Sequence, residues 1–318
     1  PIPSHSGRVI GKCVEKHLLE WGIDKVLIVI VDNASSNDLA IKYLKRRLNG
    51  WKQSVLGSDY LHMRCSAHIL NLAVKDGLRD VDDSIFRIRS AVKYVRSSLA
   101  RLQRFKACVE QEKIDSKSLV CLDVETRWNS TFLMLEAALK FETAFDRLEE
   151  QDCKYREELK GARMLGLPTE ADWANARTIL PFLRAFYDAT LKLSGSHYVT
   201  SNYYFQIIFG IGMKINDKLH DPNPSIKLMA SKMKEKYHKY WGNVSNLNPL
   251  LFIAVILDPR HKLDYALWVI EEVYKAEKAH DLCCIVRKTL ADLFENYNLA
   301  SGMPSEEPTA SSFVKCGC

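Results

Sequence analysis

Residues 26–31, VLIVIV, form an unbroken apolar run that stops at Asp32. Short, rich in Val and Ile and without polar alternation, the run predicts a strand buried on both faces. Asn33, Ser35 and Ser36 follow, residue types that suit a turn and a helix N-cap. Leu39, Tyr43, Leu44 and Leu48 then recur at helical spacing. Upstream, Val9, Ile10, Cys13, Val14, Leu18 and Trp21 mark one side of an amphipathic helix. Downstream, Leu61, Met63 and Cys65 alternate with His62 and Arg64, the pattern of a half-buried strand. Residues 67–75 read as a helix with Gly77 as its C-cap. Helix–strand–helix–strand–helix is the mark of an α/β layer. Two strands are too few for a stable sheet, so the chain is expected to enter this fold partway through.

Beyond residue 80 the strand signal fades. Ile85, Ile88, Val92, Val95, Leu99 and Leu102 step by three and four, a seam on one long helix. Helices are expected over residues 132–148, along a segment kinked or restarted at Pro181, and over 202–219, 225–241, 249–257, 263–279 and 282–297. The final stretch is rich in Ser, Pro, Gly and Glu and is expected to be disordered. The fold class is therefore α+β and predominantly α-helical. It divides into a partial α/β core at 1–79, an all-helical region at 80–298 and a tail at 299–318.

Composition narrows the function classes. No apolar run among the 318 residues approaches the roughly 20 needed to span a membrane. No basic-then-apolar N-terminus marks a signal peptide, and without an initiator Met the chain reads as a fragment or a processed product. Nine cysteines, an odd number with no Cys-x-x-Cys pair, point to reduced thiols in cytosol or nucleus. There is neither a Gly-rich phosphate loop nor a Ser nucleophile elbow, and no small-molecule substrate is expected.

A net charge of +6 matters only where it is concentrated. Residues 84–109 carry Arg87, Arg89, Lys93, Arg96, Arg101, Arg104 and Lys106 and no acid. Such a face is a candidate phosphate-backbone contact, or a solvated face balanced by acids from elsewhere in the fold. Arg127–Trp128 is an exposed-looking pair ahead of a helix. Its Trp could stack on a base while its Arg holds a phosphate, or the Trp could pack as a helix staple. His62, Cys65 and His68 are zinc-ligand types, but a structural site needs four. A buried thiol beside a hydrogen-bonded His is the expected arrangement, with no bound metal. Asp258–Pro259 suits a helix start. Asp32, where a strand hands over to a helix, is placed for metal or phosphate chemistry, or only caps the turn.

Four motifs occur in a fixed order: DNASSN at 32–37, HMRCSAHILNL at 62–72, TRWNST at 126–131 and LDPRHKL at 257–263. Together they resemble the plant RICESLEEPER-like branch of the hAT-superfamily transposases, relatives of BED zinc-finger proteins. The resemblance implies an RNase H-like core interrupted by a large all-helical insertion. It implies an Asp-Asp-Glu triad holding two divalent metals for strand transfer, with Asp32 as the second carboxylate. Cys65 and His68 match the family's Cys-x-x-His motif. Arg127 and Trp128 match its Arg-Trp pair, whose Trp is expected to stack on a flipped base. The first Asp, the final Glu and the BED zinc finger have no counterpart in this sequence. The expected protein is thus nuclear, DNA-binding and transposase-derived, domesticated or truncated at both ends. One carboxylate would leave it inactive and without a cofactor, Mg²⁺ mattering only to a complete site. A homo-oligomer or another transposase-like protein is an expected partner. A fragment of an active transposase and a helical protein-interaction module are the alternatives.

Overall fold

The computed structural model describes residues 6–50, 55–116, 118–161, 165–195, 197–274 and 276–301. The chain starts with α1 (Gly7–Glu20), β1 (Val29–Val31), α2 (Ser35–Leu48) and β2 (His62–Arg64). Among the described residues nine α-helices follow: α3 (Ser66–Leu78), α4 (Asp82–Arg96), α5 (Leu99–Gln111), α6 (Trp128–Ala138), α7 (Glu142–Gln151), α8 (Cys153–Leu159), α9 (Glu170–Leu193), α10 (Tyr204–Lys218) and α11 (Pro224–Trp241). The described chain ends with α12 (Leu250–Ile256), α13 (Lys262–Val273) and α14 (Ala276–Ser301). Helices dominate, as an α-rich α+β fold requires.

The contacts divide the chain into two compact units, residues 1–64 with 248–318 and residues 65–247. The sequence boundary at 79/80 misses this division. It also leaves 248–298 in the helical region, whereas that segment returns to the first unit. At the return, a side chain makes a contact that hydropathy does not show: the Asn248 side-chain amide donates to the carbonyls of Tyr60 and His62 at 2.8 and 3.3 Å.

In the first unit, β1 and β2 pair in parallel with Val29 opposite His62 and Val31 opposite Arg64. Ile41, Leu44 and Leu48 of α2 form the core with Leu61, and Val29 and Val31 pack against it. The expectation of a strand buried on both faces fails, since Ile30 is 63% exposed. Among the described residues β1 has one neighbouring strand and one covered face. Helix α1 lies closely on α2 because Gly11 carries no side chain: a Cβ there would stand 2.7 Å from the Tyr43 ring. Across the same contact Glu15, buried, accepts from Tyr43 Oη and Arg47 Nε, each at 2.6 Å.

In the second unit the expected long helix over 85–102 is two helices, because Ser98 breaks it and caps α5 by accepting from Arg101 N–H. Conversely, α9 runs unbroken through Pro181. It starts on a capping box between Thr169 and Asp172. Gly77 is not a C-cap but an interior residue of α3. A Cβ on it would meet Met233 of α11 at 2.6 Å, so the glycine sets how closely these two helices pack. The residues of the expected disordered tail beyond 301 lie outside the described ones.

Candidate nucleic-acid interface

Asp32 follows β1 directly, as the apolar run predicts. One carboxylate oxygen accepts from Ala34 N–H at 2.9 Å and from the Asn37 amide at 2.7 Å, an Asx turn that opens α2. Arg64 lies in the same polar group, donating to Asn33 Oδ1 at 3.1 Å and pairing with Asp38 at 3.0 Å. Two carboxylates, of which Asp38 is already paired with a guanidinium and Asp32 holds a turn, are not a donor set for two divalent cations, which need several acids and no competing positive charge. His62, in the same unit, is half-buried. Burial first and the Arg64 charge second hold its pKa below the ordinary histidine value. Among the described residues no group of three or more His, Cys, Asp or Glu side chains is placed to hold a metal.

In the second unit, Cys65 precedes α3 and His68 occupies its first turn, both partly buried. Arg127 precedes α6 and is exposed, but Trp128 is 4% exposed and packs edge-on against Phe132. The sequence expectation of an exposed pair is corrected for the Trp: as first residue of α6 it turns into the apolar layer, as a staple would. Its indole Nε1 is buried without an acceptor among the described residues.

The basic stretch is corrected more thoroughly. Arg89 Nε bonds both oxygens of Asp123, at 3.1 and 2.9 Å, with Arg89 10% and Asp123 0% exposed. Arg87 pairs with buried Asp172 at 2.8 Å and Lys93 with Glu125 at 2.7 Å. Arg101 pairs with Glu158, and Arg104 with buried Asp152 at 3.0 Å. Of the seven basic residues proposed on α4 and α5, Arg96 and Lys106 are exposed with no ion pair among the described residues. The face is therefore balanced by acids from elsewhere in the fold. Burial pushes the Asp172 pKa up, yet the bonds from Thr169, Ser84 and Arg87 together hold it below the usual carboxylate value. Tyr94, buried and donating to Asp152, has its pKa raised to about 12.

The sequence reading placed a helix at 225–241 but missed the charge on α11. Lys227, Lys232, Lys234, Lys236 and Lys239 stand on it with Glu235 as the single acid, a ratio readable from the chain once the helix is drawn.

A family model described as the ZBED1 RNase-like helical domain matches residues 63–182, and one described as hAT-like transposase, RNase-H fold, matches residues 202–297. The chain belongs to the hAT transposase superfamily. Relatives of this hAT chain include the maize protein named putative AC transposase, 33% identical over 81% of the chain and 31% of that protein. The rice zinc finger BED domain-containing protein RICESLEEPER 2 is 29% identical over 92% of the chain and 39% of its own length. The Arabidopsis protein DAYSLEEPER is 25% identical over 95% of the chain and 40% of its length. The chain thus spans about two-fifths or less of the length of these relatives. Both matched segments lie C-terminal to Asp32. No described helix is long and apolar enough to cross a membrane.

Proposed function

We propose that this hAT chain is a nuclear, DNA-binding, transposase-derived protein, domesticated or truncated, whose Asp-Asp-Glu site is incomplete in the residues it carries. The observation that carries the reading is its 33% identity with a putative transposase across 81% of its length. The surroundings of Asp32 add to it: the carboxylate opens α2 and stands among amides and a guanidinium, suited to holding a turn. DNA is the proposed partner, with self-association or pairing with another transposase-like protein as the proposed assembly. Metal is not needed for binding in this reading, and Cys65 and His68 serve the start of α3. A second reading, a fragment of an active transposase, is favoured by the chain's spanning 31% of the maize relative.

Incubated with nicked or hairpin-ended DNA and Mg²⁺ or Mn²⁺, the chain should give no cleaved or joined products. Metal-dependent products that vanish in Asp32→Asn would replace the first reading with the second.

A further inference from the structure

We infer that the cleft between α11 and the end of α3 is the phosphate-backbone contact of this protein, a surface for duplex DNA. The inference rests on the DNA-binding reading above and places that binding away from the basic stretch at 84–109.

The cleft has a volume of ≈ 320 Å³ and is lined by Asp76, Arg79, Lys232, Glu235, Lys236 and Lys239. The four α11 residues follow i, i+3, i+4 and i+7 spacing, so they form one stripe along the helix. The opposite side of α11 is fixed. Met229, Ala230 and Met233 are buried, and the close approach of Met233 to Gly77 sets the stripe beside the end of α3.

The charge arrangement favours a polyanion. Asp76 is held twice, by Arg79 at 3.2 Å and by Lys236 at 2.7 Å, so its negative charge is compensated within the cleft. Glu235 is then the one other acid against Lys232 and Lys239. Four cations against two carboxylates leave the cleft positive. Exposed Lys227 and partly exposed Lys234, seven residues apart, share another face of α11 and add to the positive field around the helix. Neither they nor Lys239 form an ion pair among the described residues, the reverse of what α4 and α5 show.

The chemistry of the lining also selects the part of DNA that is touched. Ammonium groups act as point charges toward phosphate oxygens and carry no base information. No aromatic side chain lines the cleft, so it offers no platform for stacking an unpaired base. Binding there is to the backbone, indifferent to sequence and steeply salt-dependent.

The test measures binding of the full chain to a mixed-sequence duplex across a salt series. Three proteins are compared: wild type, Lys232→Gln/Lys236→Gln/Lys239→Gln, and the charge-matched control Lys140→Gln/Lys154→Gln/Lys192→Gln. Each lysine on a phosphate adds about 0.9 to the slope of log affinity against log salt. The cleft variant should lose about 2–3 of that slope and at least tenfold in low-salt affinity, with the control close to wild type. Lys232→Gln/Lys239→Gln, which leaves the Asp76–Lys236 pair intact, should show about two-thirds of the slope loss and so separates binding from folding. Equal losses in cleft and control variants, or none in either, would overturn the cleft while leaving DNA binding standing. A wild-type chain that does not bind duplex at all would remove both this inference and the reading beneath it.

Discussion

Arg89→Leu should destabilise the helical unit by about 3–5 kcal/mol, the range for breaking a buried ion pair from one side. Arg89 and Asp123 are almost wholly enclosed, and after the substitution Asp123 would keep the Thr131 hydroxyl at 2.8 Å in place of two further bonds from a guanidinium. The penalty comes from the carboxylate left behind and unpaired, more than from lost attraction in the pair itself. Arg89→Leu with Asp123→Leu should therefore recover much of the loss, since an apolar pair leaves no buried charge. Denaturant unfolding followed by circular dichroism checks both. If Arg89→Leu unfolds with wild type while DNA affinity falls, Arg89 is a contact residue and the ion-pair account of α4 is wrong.

Trp128→Ala should cost about 3–5 kcal/mol, as large-to-small changes of buried aromatics do. The indole is 4% exposed and packs edge-on against Phe132. Trp128→Phe is expected to be far milder. It shortens the side chain but also removes a buried donor with no acceptor among the described residues, a group whose desolvation is unfavourable by roughly 1–3 kcal/mol. The same unfolding experiment separates the two substitutions. A Trp128→Ala chain as stable as wild type, yet with weakened binding to unpaired DNA, would show that the ring works outside the core.

These two positions also show where the sequence was legible and where it was not. The order of α1, β1, α2, β2 and α3 follows from local apolar spacing, because each element's buried face repeats within a few residues. The four motifs identify the family for the same reason: each is contiguous. What local pattern cannot show is the partner that arrives from far along the chain. Asp123 meets Arg89 from 34 residues away, and Asp172 meets Arg87 from 85. An acid-free window of sequence thus became a charge-balanced surface. Gly77 was misread for a related reason. A glycine near the end of a helix suits a C-cap, and nothing in its neighbours announces Met233 across the interface. Ile30 belongs to an apolar run, but its exposure depends on how many strands and layers flank β1. The α11 stripe was legible, since Lys232, Lys236 and Lys239 share a face of a helix whose extent the periodicity gives to within a residue. It escaped because Glu235 interrupts the run in sequence while lying in the same stripe.

On the proposed function, this chain holds DNA through backbone phosphates and without metal. The most direct measurement is duplex affinity of the purified full chain over a range of salt, in the presence of a chelator. The proposed function predicts binding at low ionic strength that weakens along a straight line in log salt, unchanged by the chelator. Absence of binding at low salt, or binding that the chelator abolishes, would contradict it.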